Sequence, residues 1–589
     1  HHENLIARGE EPVPVDLEAI LQPRMPAATG AVDFTGQTVL RTHLLPTAPL
    51  PQQEGLDVSG LGSMRGQTVK LHGVDHPGTD RLQLTRRAAE LPAGGNVPAV
   101  ETREAGAWEH RQDVLRGFGD TYRLLVRCRH DLLAATGPLA PFVECETRFL
   151  LRPTGLYGRL LISACHPDVM QDALARDRLF DTLWHGVRDH PALARLVSFE
   201  REDLERWDIP RFVARPGSRD LRTSTGERVE GFFLSSGWDR LVRRLGELGE
   251  EDLERQKHLV HEALRALRPP EEAEAGARTP LPEIARPAAP QRFLDAALAI
   301  GRRLETLAVR DGDEISWFHL VHQGDRRHLQ PATPELYHGL GGIALFLAHL
   351  GAAAGEERFT ALARQAWESA RRRLACFPEC LPGIGAFSGR GGWIYALTHL
   401  GLQWDEPGLL AEAEAQAPEI AERLEADRAF DLIGGAAGAI TGLLALHRHR
   451  PAAPTLEAAV ACGEHLLRHA RRERGGLAWP SPQGADLPPL TGLAHGTAGI
   501  AWALAALAVP SGRRDFAAAA RQALAYERSW FSPEKNNWPD LRQAPGGEPA
   551  YWHAWCHGAP GIAMSRLRAY QLYRDERCRE EAVQAVATT

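Results

Sequence analysis

Lysine is almost missing from this chain: Lys70, Lys257 and Lys535 are its only three among 68 basic residues, the remainder being arginine. The formal net charge is -8, which argues against a sequence-independent nucleic-acid binder, because such proteins carry a basic face. Cysteine is also scarce. The eight thiols, at positions 128, 145, 165, 376, 380, 462, 556 and 578, are too few and too irregular for a disulfide framework, so a reducing cytoplasm is the expected home. No run of about 18 apolar residues is present, which excludes a hydropathy-type membrane span. No charged-then-apolar leader follows His1-His2-Glu3-Asn4, so no signal peptide is legible. What is present is an ordinary globular composition, 43% hydrophobic and 24% charged, over 589 residues, which is too long for one core.

The segment Arg268 to Pro290, RPPEEAEAGARTPLPEIARPAAP, is rich in Pro, Ala and Glu and has no apolar period. It divides the sequence into 1–267, a linker at 268–290, and 291–589. Before the linker, turn-rich stretches alternate with helical ones such as Asp113 to Arg129, so an α+β fold is expected. After it the pattern is almost purely helical and repeats. The copies are HGLGGIALFLAHLG (338–351), GRGGWIYALTHLG (389–401), DLIGGAAGAITGLLALH (431–447), AHGTAGIAWALAALA (494–508) and CHGAPGIAMSRL (556–567). Ile343, Phe346, Leu347 and Leu350 fall at i, i+3, i+4 and i+7, one face of a helix. The spacing leaves room for a second helix in each unit, which predicts stacked helical hairpins curling into an α/α toroid. Most of the glycines are read as packing positions. The chemistry is expected from polar residues beside them, where loops gather around one cavity.

Those repeats resemble the lanthionine cyclase family, an α/α toroid of seven hairpins with a central zinc. The resemblance covers 330–589 and implies the following roles. Cys556, in WCHGAPG, takes the place of the first zinc ligand. The other two ligands, a Cys-His pair from a later repeat, are expected beyond Thr589, since no second Cys-His-Gly motif occurs here and zinc needs at least three protein ligands. Reading Cys556 and His557 as that pair instead fits the flanking residues less well. A zinc-bound thiol is deprotonated and nucleophilic, so it can add to the β-carbon of a dehydroalanine or dehydrobutyrine. His495 takes the position of the acid/base that handles the α-carbon proton, a role suited to imidazole. Asp431 takes that of an active-site carboxylate orienting it, although a helix N-cap is its plainer use. The Arg that some family members carry just before the first zinc Cys is absent from Tyr551-Trp552-His553-Ala554.

The first 285 residues resemble the C-terminal part of the dehydratase domain of class II lanthipeptide synthetases, a distant relative of lipid kinases. The opening HHENLIARGEEPVPVDLEAIL matches the family's Asp-x-His-x-x-Asn segment followed by Asp-x-Glu. His1 takes the catalytic His position, and the motif's first Asp falls ahead of it. Asn4, Asp16 and Glu18 take the cofactor-binding positions, with Asn4 and Asp16 on magnesium beside ATP; oxygen ligands suit that ion. A phosphate-binding Lys is also required, and none of the three lysines sits in such a context. The match continues through GNVPAV, GFGDTY and TRFLLRPTGLYGRLLISACHPD, in which Arg148 and Thr154 correspond to residues that eliminate phosphate from phosphorylated Ser or Thr. An arginine can neutralise a departing phosphate bidentately. Arg152 is read as a solvated strand-edge residue that could also assist, His166-Pro167 as a turn opening a helix, and Asp208, Arg215 and Arg219 as structural or substrate-lining.

Dehydratase followed by cyclase implies a bifunctional lanthipeptide synthetase. Its cofactors would be zinc, ATP and magnesium, and its substrate a ribosomal precursor peptide with a leader. Its setting would be the bacterial cytoplasm, with contact to an export transporter and to the membrane only through partners. Two other readings stand beside it. A toroidal glycosidase needs paired carboxylates facing the cavity, where these repeats offer His and Cys. A noncatalytic peptide-binding scaffold would need no metal.

Overall fold

A computed structural model describes residues 106–185, 187, 191–268, 289–323, 326–481, 487–542 and 549–589, with short stretches between residues 34 and 104. His1, Asn4, Asp16, Glu18 and the linker's 269–288 lie outside the described residues. The fold divides into two compact units. The first comprises 1–282, 306–311 and 318–330; the second comprises 283–305, 312–317 and 331–589.

The first unit mixes helices with small antiparallel sheets. An antiparallel hairpin joins β1 (Thr68–Asp75) to β2 (Gln83–Glu90). Helix α1 (Arg111–Leu133) packs on α5 (Gly237–Glu247) and α6 (Glu250–Arg265). Ser236 and Asp239 form a reciprocal capping box at the start of α5, which fixes where that helix begins. Leu259, Val260, Ala263 and Leu264 recur along one face of α6 and share a core with Trp108, Val309, Phe318 and Leu329. The last two lie on β7 (Phe318–Gln323) and β8 (Arg326–Pro331).

A second core joins α2 (Thr154–Ala164), α3 (Ala173–Phe180) and α4 (Val197–Glu205) through Leu156, Tyr157, Leu160, Phe180 and Leu204. Arg152 is buried there rather than solvated at an edge. Its guanidinium pairs with buried Glu200 at 2.7 Å and donates to the Leu183 and His185 carbonyls, and Tyr157 donates to the same carboxylate at 2.6 Å. Nε and both terminal nitrogens are engaged by protein groups, so Arg152 serves as a buried core ion pair. Beside this core lies a four-stranded antiparallel sheet, β3 (Thr147–Phe149), β4 (Phe212–Ala214), β5 (Leu221–Arg222) and β6 (Arg228–Val229). Phe212, Leu221 and Val229 are buried on one face, with Phe149, Phe232 and Phe233 packed edge-on against one another.

The second unit begins with α7 (Pro290–Leu307) and continues as five helical hairpins. The inner helices are α8 (Leu340–Ala354), α10 (Arg390–Gln403), α12 (Ala436–His449), α14 (Thr497–Ser511) and α16 (Ala559–Tyr573). The outer ones are α9 (Glu357–Cys376), α11 (Pro407–Arg423), α13 (Ala453–His469), α15 (Arg514–Arg528) and α17 (Glu576–Thr588). Each inner helix packs on its own outer partner and on the next inner helix, the arrangement of an all-α toroid. Small residues allow that approach. A Cβ on Gly442 of α12 would sit 2.2 Å from the Gly391 carbonyl of α10, so these two helices touch backbone to backbone. Short strands interrupt the helical pattern, among them the hairpin β9 (Arg471–Glu473) and β10 (Gly476–Ala478). The sequence drew 291–589 as one piece, whereas 306–311 and 318–330 pack within the first unit because their apolar residues complete its core. Among the described residues no helix is long and apolar enough to cross a membrane.

Candidate functional site

The loops that open the inner helices are stitched to one another by backbone hydrogen bonds. Leu336 N donates to Phe387 O, Ala386 N to Leu432 O, Leu432 N to Ala494 O, and Ala494 N to Cys556 O. Rings close across the same mouth: Phe387 lies 5.9 Å from Tyr337 and 5.5 Å from Trp555. The five Gly-rich motifs, scattered over more than 200 residues of sequence, thus meet around one opening.

At that opening the buried Asp431 carboxylate meets the half-exposed His495 ring, Oδ2 to Nδ1, at 2.7 Å. Asp431 Oδ1 meanwhile accepts from the Gly434 and Gly435 N–H groups, at 2.8 and 3.2 Å. One carboxylate therefore ties its own loop and presents its second oxygen to the imidazole. The bond puts a proton on Nδ1 and leaves Nε2 as the working nitrogen. This is the arrangement of a general acid/base held in one tautomer by a buried acid.

The next loop carries Cys556 and His557. Cys556 is half-buried. The His557 ring lies stacked 5.8 Å from that of His495. Burial first, and the neighbouring Arg542 guanidinium second, push the His557 imidazole down to about 4, so it is neutral at ordinary pH. Its Nε2 is buried with no hydrogen-bond partner among the described residues. Two glycines make this loop possible. Gly492 adopts φ 101° with its missing Cβ only 2.6 Å from the Cys556 carbonyl, and Gly558 adopts φ 93° with Trp552 O where a Cβ would stand.

Sequence reading missed the groups that hold these loops in place. Asp427 accepts from Ala429, Phe430 and Ala436 N–H groups. Buried Glu527 accepts from Gly492 and Ala498, and Asn537 from Trp538 and Ala559 while donating to Trp552 O. The third mouth loop is thus tied by a carboxylate at its own start, and the fourth and fifth by polar side chains from other segments, Glu527 and Asn537. Arg542, far from Cys556 in sequence, is held by a two-pronged pair with Asp540 and bears electrostatically on both Cys556 and His557. A cation does reach the site, although none precedes Cys556 closely. Nothing local in the sequence marks it.

Zinc fits these residues incompletely. A zinc site takes at least three protein ligands. Among the described residues no group of three or more His, Cys, Asp or Glu is placed to hold a metal, and Cys556 contributes one sulfur.

In the first unit, Arg148 and Thr154 lie near one another in sequence but on different elements. Thr154 is the exposed first residue of α2, and Arg148 stands exposed on β3. Arg148 pairs with Val213, Val213 with Arg222, and Arg222 with Arg228, so three arginines share one row across the sheet face opposite Phe212. Arg228 is held by Asp220; Arg148 and Arg222 have no partner among the described residues. Like charges in one row repel unless an anion joins them. His166 caps the turn it opens, accepting from Asp168 N. Arg215 pairs with Glu144 and Glu146, and Arg219 donates to Phe233 O, so both are structural in this state. Lys257 and Lys535 pair with neighbouring glutamates.

Two family models match the sequence. A domain of unknown function, DUF4135, matches residues 1–215, and a lanthionine synthetase C-like protein model matches 330–589. The lacticin 481/lactococcin biosynthesis protein LcnDR2 of Lactococcus lactis subsp. lactis is 22% identical over 366 residues, covering 59% of this chain and 38% of that protein. The chain therefore spans well under half of that relative's length. Among solved structures, nisin cyclase is similar at TM-score 0.36 and 19% identity, over 51% of this chain and 74% of that one. D-mannose isomerase is similar at TM-score 0.33 and 12% identity, over 52% and 87%.

Proposed function

We propose that this chain, which resembles lanthionine synthetases of the LanM type, closes thioether rings in a precursor peptide with its second unit after its first unit has helped to dehydrate Ser and Thr. The observation that carries the cyclase half is the 2.7 Å bond between His495 and buried Asp431, one loop away from Cys556.

In this reading a peptide thiol approaches a dehydro residue at the mouth. His495 Nε2 takes the thiol proton, the sulfur bonds to the β-carbon, and the alkene electron pair moves to the α-carbon as an enolate. His495 returns the proton to that α-carbon, so S–H adds across C=C with nothing gained or lost. Asp431 holds the tautomer and steadies the transient imidazolium. Cys556 is proposed as one ligand of a zinc whose other ligands lie outside the described set, which metal quantification on wild type and Cys556→Ala would check.

For the kinase-like dehydratase half, His1, Asn4, Asp16 and Glu18 are proposed to act with ATP and magnesium, and Arg148 and Thr154 in phosphate elimination. The unpartnered Arg148, in a row with Arg222, supports an anion at that face.

The test uses a dehydrated peptide containing Cys, with free thiols counted by alkylation and mass. His495→Ala and Asp431→Asn should each slow thiol loss by about 100-fold or more. With unmodified precursor, ATP and magnesium, Arg148→Ala should accumulate phosphorylated peptide. Thiol loss at wild-type rates in both cyclase variants would favour a noncatalytic peptide-binding scaffold.

A further inference from the structure

Away from the mouth the inner helices line a second cavity, and its chemistry differs from that of the mouth. From Arg390 to Gly401 of α10, only Tyr395 and His399 escape burial. Tyr395 is the sixth residue of its helix, as Thr441 is of α12 and Trp502 of α14, so the three stand at one depth below the loops. They open a cavity of about 490 Å³ that runs to the end of α12, where Arg448 and His449 line it, and Arg568 lines it from within α16. That volume lies within the range of ligand-binding clefts.

Three features distinguish this cavity from an accidental gap. Among the described residues, no Asp or Glu lines it. Neither Arg448 nor Arg568 has an ion pair among the described residues, and Arg568 Nε is buried without a hydrogen bond. Tyr395 and Trp502 supply aromatic surface beside the imidazole of His399, whose ring lies 4.1 Å from that of Tyr395. Cations at helix C-termini offset the helix dipole, which accounts for an arginine there but not for the missing acids or the aromatic shelf.

We propose that this hollow is a docking channel for an acidic stretch of the peptide substrate, its carboxylates meeting Arg448 and Arg568 while Tyr395 and Trp502 pack against the intervening chain. Its position relative to the chemistry rests on the cyclase reading. From Ala436 to Arg448, α12 rises about 18 Å at roughly 1.5 Å per residue. An extended peptide advances about 3.3 Å per residue. The favoured acid is therefore about five or six residues from the residue modified at His495.

Fluorescence anisotropy with the 589-residue chain and two labelled ten-residue peptides, one bearing a pair of Glu and the other Gln at the same positions, tests this without requiring turnover. The Glu peptide should bind about tenfold tighter, and the preference should shrink as salt is raised. Arg448→Gln/Arg568→Gln should abolish the preference, whereas His495→Ala should keep it. Equal affinity of the two peptides for the wild-type chain overturns the proposal even if the double variant fails to fold. So does a preference that survives in a folded double variant, or displacement of the peptide by free glutamate at the concentration at which an unlabelled Glu peptide displaces it. Failure of the cyclase reading alone would appear elsewhere, as unchanged thiol loss in His495→Ala, with the Glu and Gln peptides still distinguished.

Discussion

Asp431 does two things with one carboxylate, and the two can be separated. Asp431→Asn keeps an oxygen for the Gly434 and Gly435 N–H groups, so the fold should melt near the wild-type temperature while ring closure is lost. Asp431→Ala removes that acceptor as well and should cost about 1 kcal/mol in addition. Equal melting losses in the two variants would assign the loop's stability to something else. Glu527 offers a different handle. Complete burial pushes its carboxyl up to about 7 against the opposing pull of Arg566 and two backbone N–H groups. Because the folded value lies above the unfolded one, the protonated form favours the fold. That contribution is complete below the ordinary carboxyl range and is lost as pH rises through about 7, roughly 3 kcal/mol at most. Glu527→Gln should flatten the dependence of Tm on pH between about 5 and 8; a variant curve parallel to wild type would contradict this. His495, Asp431 and Cys556 were legible because each stands in or beside a Gly-rich helix start. Glu527, Asn537 and Arg542 were not, because N–H groups and charges that give them meaning come from other loops, and Asp427 was not, because it stands ahead of the glycine motif whose loop it ties. Arg152 was misread for the same reason, since its partner Glu200 lies 48 residues away.

The inner helices announced themselves through glycine and a 3.6-residue period, and all five appear where the repeats placed them. The same glycines set how closely those helices pack. Gly442→Val would force a branched side chain into the Gly391 backbone, where no flexible neighbour can yield. The expected loss is about 3 kcal/mol or more, read in thermal melts, and Gly442→Ala should lose less. A valine variant that melts with wild type would mean the two helices can separate freely. The strands after the linker were not legible. Arg471–Glu473 and Gly476–Ala478 are three residues each, too short for an alternating pattern to stand out against the helices around them. In the four-stranded sheet the register, not the composition, aligns Arg148 with Arg222 and Arg228.

Across the whole chain, a composition break at 268–290 suggested two bodies, and the two compact units do not follow that cut. Apolar residues after the linker complete the first body's core: Phe318 and Leu329 join Leu259, Val260 and Leu264 of α6. A chain divided at the linker would leave α6 with part of its core missing. Phe318 is nearly buried, so Phe318→Ala should destabilise the first unit by about 3–5 kcal/mol. Hydrogen exchange localises the effect, because amides open in cooperative units. In Phe318→Ala, the α6 amides around Leu259 to Leu264 should exchange faster, while those of α12 keep wild-type protection. Faster exchange in α12 with α6 unchanged would instead assign Phe318 to the toroid and restore the boundary that the sequence drew.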